Sequence, residues 1–424
     1  MKKLTSKRIY NIINYILPCV FIISIVECYW GLWRLATVFK LIAIVLSFVL
    51  CARGDYKRKN TIFTALFVLS IASLFSYLYN DRPFECAHND LFNTVPAMLF
   101  FLIALNEKDC NRHFYDYYMY VSSAIYLLGI FCYILTPGWY VNSLAEARSA
   151  SLLNRGVEVG FDGDTVLDSL RFSAFFINSY PISLFSIYTL SLSLFSFFKR
   201  SGKGKYSLYC IIISLVTAIL SMHRVSIACA VLIIVFFLVN EIVNGRGTTV
   251  LKIIIVSIIC VFTSMLFLDG FQDRFLDLFD MLLERTEDMS VSSAYNERQG
   301  LTNELFSQWK YVIFGHGIGS GGPQARFLGY PGVSDAGYAK LLFENGIVGF
   351  SLFLLLVVTT CVRGLKYFQY YIAELAIIVF VCIAMLGSNS LSIAYIYIIP
   401  FWYSLGKIWN KEYLNFVINN DIHV

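Results

Sequence analysis

The feature that most constrains this chain is its repeated run of long apolar blocks, each roughly the length of a bilayer-crossing helix and separated by short polar breaks. A span needs about 20 mostly apolar residues to cross about 30 Å of hydrocarbon. Twelve such blocks can be placed, at about 10–29, 35–52, 61–79, 91–107, 115–136, 172–198, 206–223, 225–241, 250–269, 341–362, 369–387 and 389–407. The 91–107 block is short and holds Pro96, and only GSNS separates the last two. Composition agrees: 58% of residues are hydrophobic and 14% charged, against about 45–50% and about 25% in soluble domains. A soluble core would leave these blocks no solvated face. Disorder, collagen-like repeats and a secreted disulfide scaffold are excluded on the same grounds.

The expected fold is an all-α polytopic membrane protein, with residues 1–424 forming one integral membrane domain. The net charge of +5 is not a nucleic-acid signal, because the basic residues flank the apolar blocks. With twelve spans and a cytoplasmic N-terminus, the inner side holds KKLTSKR, RGDYKRK, KRSGKGK and RGLK, together with Lys108, Arg112, Arg246, Lys252, Lys407 and Lys411. The short outward loops hold few basic residues, among them Arg34 and Arg82. This is the positive-inside pattern. Both termini are therefore expected in the cytoplasm, and MKKLTSKR reads as the flank of a first helix, not a cleaved signal. Lys40 falls inside the second block, where a local pair or snorkelling accounts for it. Most of the 11 cysteines fall in apolar stretches and read as small hydrophobes. Cys28 and Cys86 both fall on the outward side of this topology, where a bridge between them can form, but the plain reading is of two free thiols.

Two outward segments are long. The first, 137–171, contains FDGDTVLD, with Asp162, Asp164 and Asp168. That cluster lacks the later ligands of a calcium loop, so no metal is expected. The second, 270–340, opens on FQDRFLDLFDMLLERTED, an apolar/acidic pattern at helical spacing that predicts interfacial helix. Long loops outside the hydrocarbon commonly carry function. Outward aromatics such as Trp139, Tyr140 and Trp309 offer flat faces on which a ring can stack.

Three arginines converge on the outer side of this topology: Arg171 in LRFSAFF, Arg224 in SMHRVS and Arg298 in YNERQGLTNELFSQW. An arginine at the membrane face is costly unless paired or wetted. Guanidinium groups suit phosphate oxygens because they donate two parallel hydrogen bonds. The competing reading is that they snorkel or pair with loop carboxylates. VIFGHGIGSGG, at 312–322, supplies glycines for tight turns and close approach. It is not a Walker A or dinucleotide motif, since no GK[ST] follows. His316 within it reads as a base, a ligand, a pH switch or an ordinary loop histidine. In SDAGYAKLLFENGIVGF, Asp335 and Tyr338 stand where an outer helix enters the tenth span. A carboxylate there can accept a proton from a hydroxyl nucleophile, or merely cap the helix. Glu344 lies deeper, before Asn345 and Gly346, and also reads as a buried hydrogen-bonding group at a helix break. No HExxH, CxxC or Gx₄GK[ST] signature occurs. Redox, metal-hydrolase and ATP-driven chemistry therefore have no support, and no cofactor is expected.

Taken together, the hinge SMHRVS, the run RQGLTNELFSQWKYVIFGHGIG and the run DAGYAKLLFENGIVG resemble the O-antigen polymerase (Wzy) and O-antigen ligase superfamily of bacterial envelope glycan enzymes. The matching residues concentrate in about 171–350. Where the ligase pattern has His-Asn, this chain has Asp335-Ala336, so the polymerase branch is the closer likeness. The resemblance implies a multi-pass protein of the bacterial inner membrane with a periplasmic site. It implies transfer of a growing chain from undecaprenyl diphosphate to a new lipid-linked repeat unit. Arg171, Arg224 and Arg298 would bind the diphosphate, Asp335 would be the base, and Tyr338, His316 and Glu344 would contact substrate. Expected partners are the lipid-linked oligosaccharide, the membrane and a polysaccharide chain-length regulator. The alternatives are a glycan ligase and, in a different class, a lipid-glycan flippase.

Overall fold

The computed structural model describes residues 60–80, 82–107, 113–153, 179–199, 204–221, 224–245, 305–322, 324–325, 328–330, 337–386 and 395–421, with a few isolated positions besides. The blocks 10–29 and 250–269, most of 35–52 and the interfacial stretch after 270 lie outside the described residues, as do Cys28 and Lys40.

Helix is the only regular structure among the described residues. In chain order the elements are α1 (Thr61–Ala72), a 3-10 extension (Ser73–Leu78), α2 (Glu85–Asn106), α3 (His113–Leu135), α4 (Gly138–Leu153), α5 (Ser179–Lys199), α6 (Gly204–Leu220), α7 (Arg224–Val243), α8 (Trp309–Phe314), α9 (Gly337–Lys366), α10 (Phe368–Ala384), α11 (Tyr395–Trp409) and α12 (Lys411–Asp421). Among the described residues, four stretches are long and apolar enough to cross a membrane: Thr61–Leu78, Phe114–Leu135, Ser226–Val243 and Gly337–Lys366. Thr94–Asn106, Ile182–Phe198, Tyr206–Leu220 and Phe368–Ala384 are apolar but shorter. The helices α1 to α3, α5 to α7 and α9 to α11 fall where the apolar blocks predict them. The segment 137–171, expected from the sequence to face outward, is partly helical, as α4. Tyr140 on α4 is buried and donates its hydroxyl to the Ala174 carbonyl at 2.7 Å. It is therefore not an outward stacking surface, whereas Trp139 is exposed.

α5 is the central post. It packs on α3, α6, α7 and α10 and is buried from Ile182 through Ser196. Serines let neighbouring backbones come close and satisfy their own hydroxyls on the helix, as in Ser186 Oγ to Ser183 O at 2.7 Å and Ser191 Oγ to Ile187 O at 2.9 Å. The tightest helix pair is α2 with α11. A side chain at Gly406 would run into the Phe101 carbonyl and the Ala104 methyl, so only glycine permits this crossing. Phe63 stacks on Phe101 with centroids 4.0 Å apart and meets the edge of Trp402 at 6.2 Å, which ties α1 to that pair.

Ring contacts fix which helix ends lie together. Phe198 at the end of α5 lies 6.5 Å from Phe237 on α7, and Phe236 lies 4.7 Å from Phe368 at the start of α10. At about 1.5 Å per residue, the first residue of α7 lies ~20 Å from that end, and the last of α10 ~25 Å. The opposite end of the bundle therefore collects Arg224, Met385 and Gly337, whose N–H bonds the Met385 carbonyl at 3.0 Å. Phe172, the residue after Arg171, donates its N–H to the Leu220 carbonyl at 3.0 Å, just before Arg224.

The other end is closed by a buried ionic cap. Lys407 Nζ and Tyr403 Oη both donate to Glu107 Oε2, at 2.7 and 2.6 Å. Asn410 donates to the Ala104 and Glu107 carbonyls at 2.8 Å, while its own side-chain oxygen accepts from the Glu412 and Tyr413 amides. Asn410 thus joins α11 to α12 as an N-cap. Arg363 donates to the Ile408 carbonyl at 2.9 Å and lies over Trp409. Lys407, read from the sequence as a flanking basic residue, is fully buried in this cap.

Candidate functional site

The site is built around a break in α9. Gly346 has φ 61° and ψ −173°, which divides the element into half-helices on either side. That backbone region is essentially restricted to glycine. A broken helix strands the last carbonyls of its first half. The loop after α8 supplies donors for two of them: His316 N–H bonds the Phe343 carbonyl and Gly317 N–H the Glu344 carbonyl, both at 2.9 Å. Gly315 and Gly346 pass so closely that a side chain on either would collide with backbone of the other's segment. The glycine run VIFGHGIGSGG is therefore a docking strap.

The same strap is anchored to the first two helices. Ser73 Oγ accepts from Ile318 N–H at 3.2 Å, and Tyr77 Oη donates to the Ile318 carbonyl at 2.8 Å. Asn80 donates to the His316 carbonyl and Arg82 to the Ser320 carbonyl. Arg82 is buried, with its guanidinium 4.8 Å from the Phe343 ring centroid and 5.4 Å from that of Tyr330. Gly319 fits against the Cys86 carbonyl, where no side chain could be placed. Cys86 itself is a buried free thiol.

Beneath the strap lies a buried charge cluster. Lys340 Nζ is ion-paired with Asp90 of α2 and lies 3.5 Å from Glu344 Oε1, one turn along its own helix. Gly321 N–H donates to Glu344 Oε1 at 3.3 Å. Charges this far from water persist only when paired and hydrogen-bonded. Beside them runs a cavity of about 40 Å³, lined by Gly337, Lys340, Glu344, Asn345, Ser70 and Trp402 among others. Asn345 Oδ1 and Trp402 Nε1 are buried and have no hydrogen-bond partner among the described residues. The rest of the lining is mostly apolar, Leu66, Met98, Ile318, Leu341 and Phe353 among it, so the volume and these polar atoms suit a few ordered waters.

His316 is sandwiched between Tyr311, 3.9 Å between centroids, and Phe343, at 4.2 Å. Burial, reinforced by the Arg82 guanidinium, pushes its pKa down to about 3 from 6.5. It is neutral at physiological pH, and its ring is enclosed instead of being presented to a solvent-borne ligand. Tyr338 is half-buried and donates its hydroxyl to the Cys382 carbonyl at 2.9 Å. Glu344 sits inside the ionic cluster. Arg224 is the first residue of α7, at the same bundle end as Gly337. Arg171, Arg298 and Asp335 lie outside the described residues, as do Asp162, Asp164 and Asp168.

Three residues escaped sequence reasoning: Arg82, Asp90 and Lys340. Arg82 reads locally as a loop cation. A lysine one turn before a glutamate inside a mostly apolar run is the signal that marks Lys340, since such charges require partners. Asp90 carries no local mark of its pairing. No group of three or more His, Cys, Asp or Glu side chains among the described residues is arranged to hold a metal ion.

Comparison with protein-family models, curated proteins and solved structures finds no match for this chain.

Proposed function

We propose that the chain is a polymerase of lipid-linked oligosaccharide repeat units in the bacterial inner membrane, crossing it twelve times with both termini cytoplasmic and its site facing the periplasm. The observation that carries this reading is the interlock of the glycine strap with the broken helix α9. It joins the two motif runs on which the resemblance to the Wzy and ligase superfamily rests. The interlock lies at the bundle end where α7 opens with Arg224 and where α9 begins, two residues after Asp335.

In this reading the donor is a glycan on undecaprenyl diphosphate and the acceptor is a new lipid-linked unit. The acceptor O–H bond breaks, its oxygen bonds the donor anomeric carbon, and the proton passes to Asp335. The bond from that carbon to the diphosphate oxygen breaks, and its electron pair leaves with undecaprenyl diphosphate. A single displacement inverts the anomeric centre. Negative charge grows on the diphosphate, and Arg171, Arg224 and Arg298 stabilise it. Tyr338 holds the helix entrance through Cys382. Glu344 and His316 serve by fixing the strap, which places their contribution in positioning. The diphosphate is already a good leaving group, so neither nucleotide nor metal is needed. A chain-length regulator is the natural protein partner for such an enzyme.

The test is complementation of a strain that lacks long-chain surface glycan. Arg224→Ala and Arg298→Ala are expected to lose elongation at normal protein abundance. Intact long-chain glycan in either variant would contradict the diphosphate role.

A further inference from the structure

The short helix α8 and its approach present an inverted surface. Leu305 and Tyr311 point inward and are buried, as an amphipathic helix requires. The opposite side should be polar if it met water. Beside the exposed Ser307 and Gln308 it carries Phe306, 61% exposed, and Trp309, 73% exposed, with Ile313 one turn after Trp309 and Phe314 one turn after Lys310. Lys310 is the cation in this patch. It lies 5.1 Å from the Tyr79 ring centroid and reaches the Tyr79 carbonyl at 3.5 Å.

Tyr79 follows directly on the membrane-length stretch Thr61–Leu78, whose final turns expose Phe75 at 67% and Leu78 at 82%. The apolar side of α8 is therefore continuous with the outward face of a candidate span. Exposed aromatic groups joined to a span, with one lysine among them, have the composition of a segment seated at the lipid–water boundary. Indole and tyrosine rings favour that depth, and a lysine there reaches lipid phosphate.

We infer that Phe306, Trp309, Ile313 and Phe314 form a wedge that inserts into the head-group and upper acyl region of the bilayer, with Lys310 at phosphate level. The wedge holds the glycine strap at a fixed depth, because Tyr311, between Lys310 and the strap, stacks on His316. The occupant of this surface is the phospholipid leaflet itself. The inference does not depend on the glycan chemistry.

The experiment uses the full chain reconstituted in phosphatidylethanolamine–phosphatidylglycerol vesicles. Acyl chains brominated near the head group serve as the lipid-side quencher and iodide as the water-side quencher. The difference between wild type and Trp309→Phe isolates the Trp309 emission. It should fall about twofold or more in brominated vesicles and respond little to iodide. A Phe306→Ser/Phe314→Ser variant should shift Trp309 towards iodide quenching. Quenching of wild-type Trp309 by iodide but not bromolipid would place the patch in water and overturn the inference. Quenching by neither would mean that protein covers it, either a second copy or another segment, and would overturn it equally.

Discussion

The backbone of Gly346 lies directly against that of Gly315, so that a methyl group on Gly346 would stand 2.6 Å from the Gly315 nitrogen. One glycine breaks a helix and the other begins the strap that repairs the break. Gly346→Ala combines a backbone conformation reserved for glycine with this collision. The expected cost exceeds about 2 kcal/mol. The check is thermal unfolding of detergent-purified protein together with protease cleavage within 315–322. A variant with wild-type melting and cleavage would remove the interlock from the account.

The ion cluster makes an ordered forecast. Lys340→Met leaves Asp90 and Glu344 facing each other without a cation. Asp90→Asn leaves Lys340 still beside Glu344. The lysine variant should therefore lose more stability, about 3–5 kcal/mol for a broken buried pair. Melting of the two variants side by side decides the point. Equal losses, or a worse Asp90→Asn, would mean that Lys340 does not serve both carboxylates.

His316 gives a pH forecast with a definite sign. Its folded pKa is depressed to about 3 from 6.5, so the unfolded chain binds the proton first as pH falls. Stability due to the neutral ring is complete above about pH 6.5 and is lost as pH falls towards 3. Wild-type melting should decline through this window more steeply than that of His316→Phe, which keeps the stacking but cannot titrate. Parallel slopes would contradict the buried placement.

Much of this arrangement is readable in the sequence, and what is not has a physical reason. The apolar blocks mark α1 to α3, α5 to α7 and α9 to α11 because burial along a helix is a local pattern. The break at Gly346 and the burial of Glu344 are legible in ENG, where a carboxylate precedes a glycine inside an apolar run. The Asp90–Lys340 pair is not, since its partners belong to α2 and α9 and neither segment encodes the other. Tyr140 reads as an outer aromatic until Ala174 is seen to take its hydroxyl. Arg82 reads as a loop charge until the strap supplies the Ser320 carbonyl, and Phe343 and Tyr330 supply rings, to hold it.

The base assignment has its own test. Asp335→Asn should abolish elongation at normal abundance if that carboxylate takes the acceptor proton. His316→Gln should retain chemistry at pH 7, because a ring already neutral and enclosed transfers no proton to substrate. Wild-type rates in Asp335→Asn, or complete loss in a folded His316→Gln protein, would reverse the two roles.

The most direct measurement of the central claim is made with purified protein and its lipid-linked repeat unit alone. The account predicts a ladder of longer lipid-linked products, formed without nucleotide. Product that appears only after lipid A–core or another acceptor is added would make the chain a ligase. Unaltered substrate moved between leaflets would make it a flippase, and either result would contradict the account.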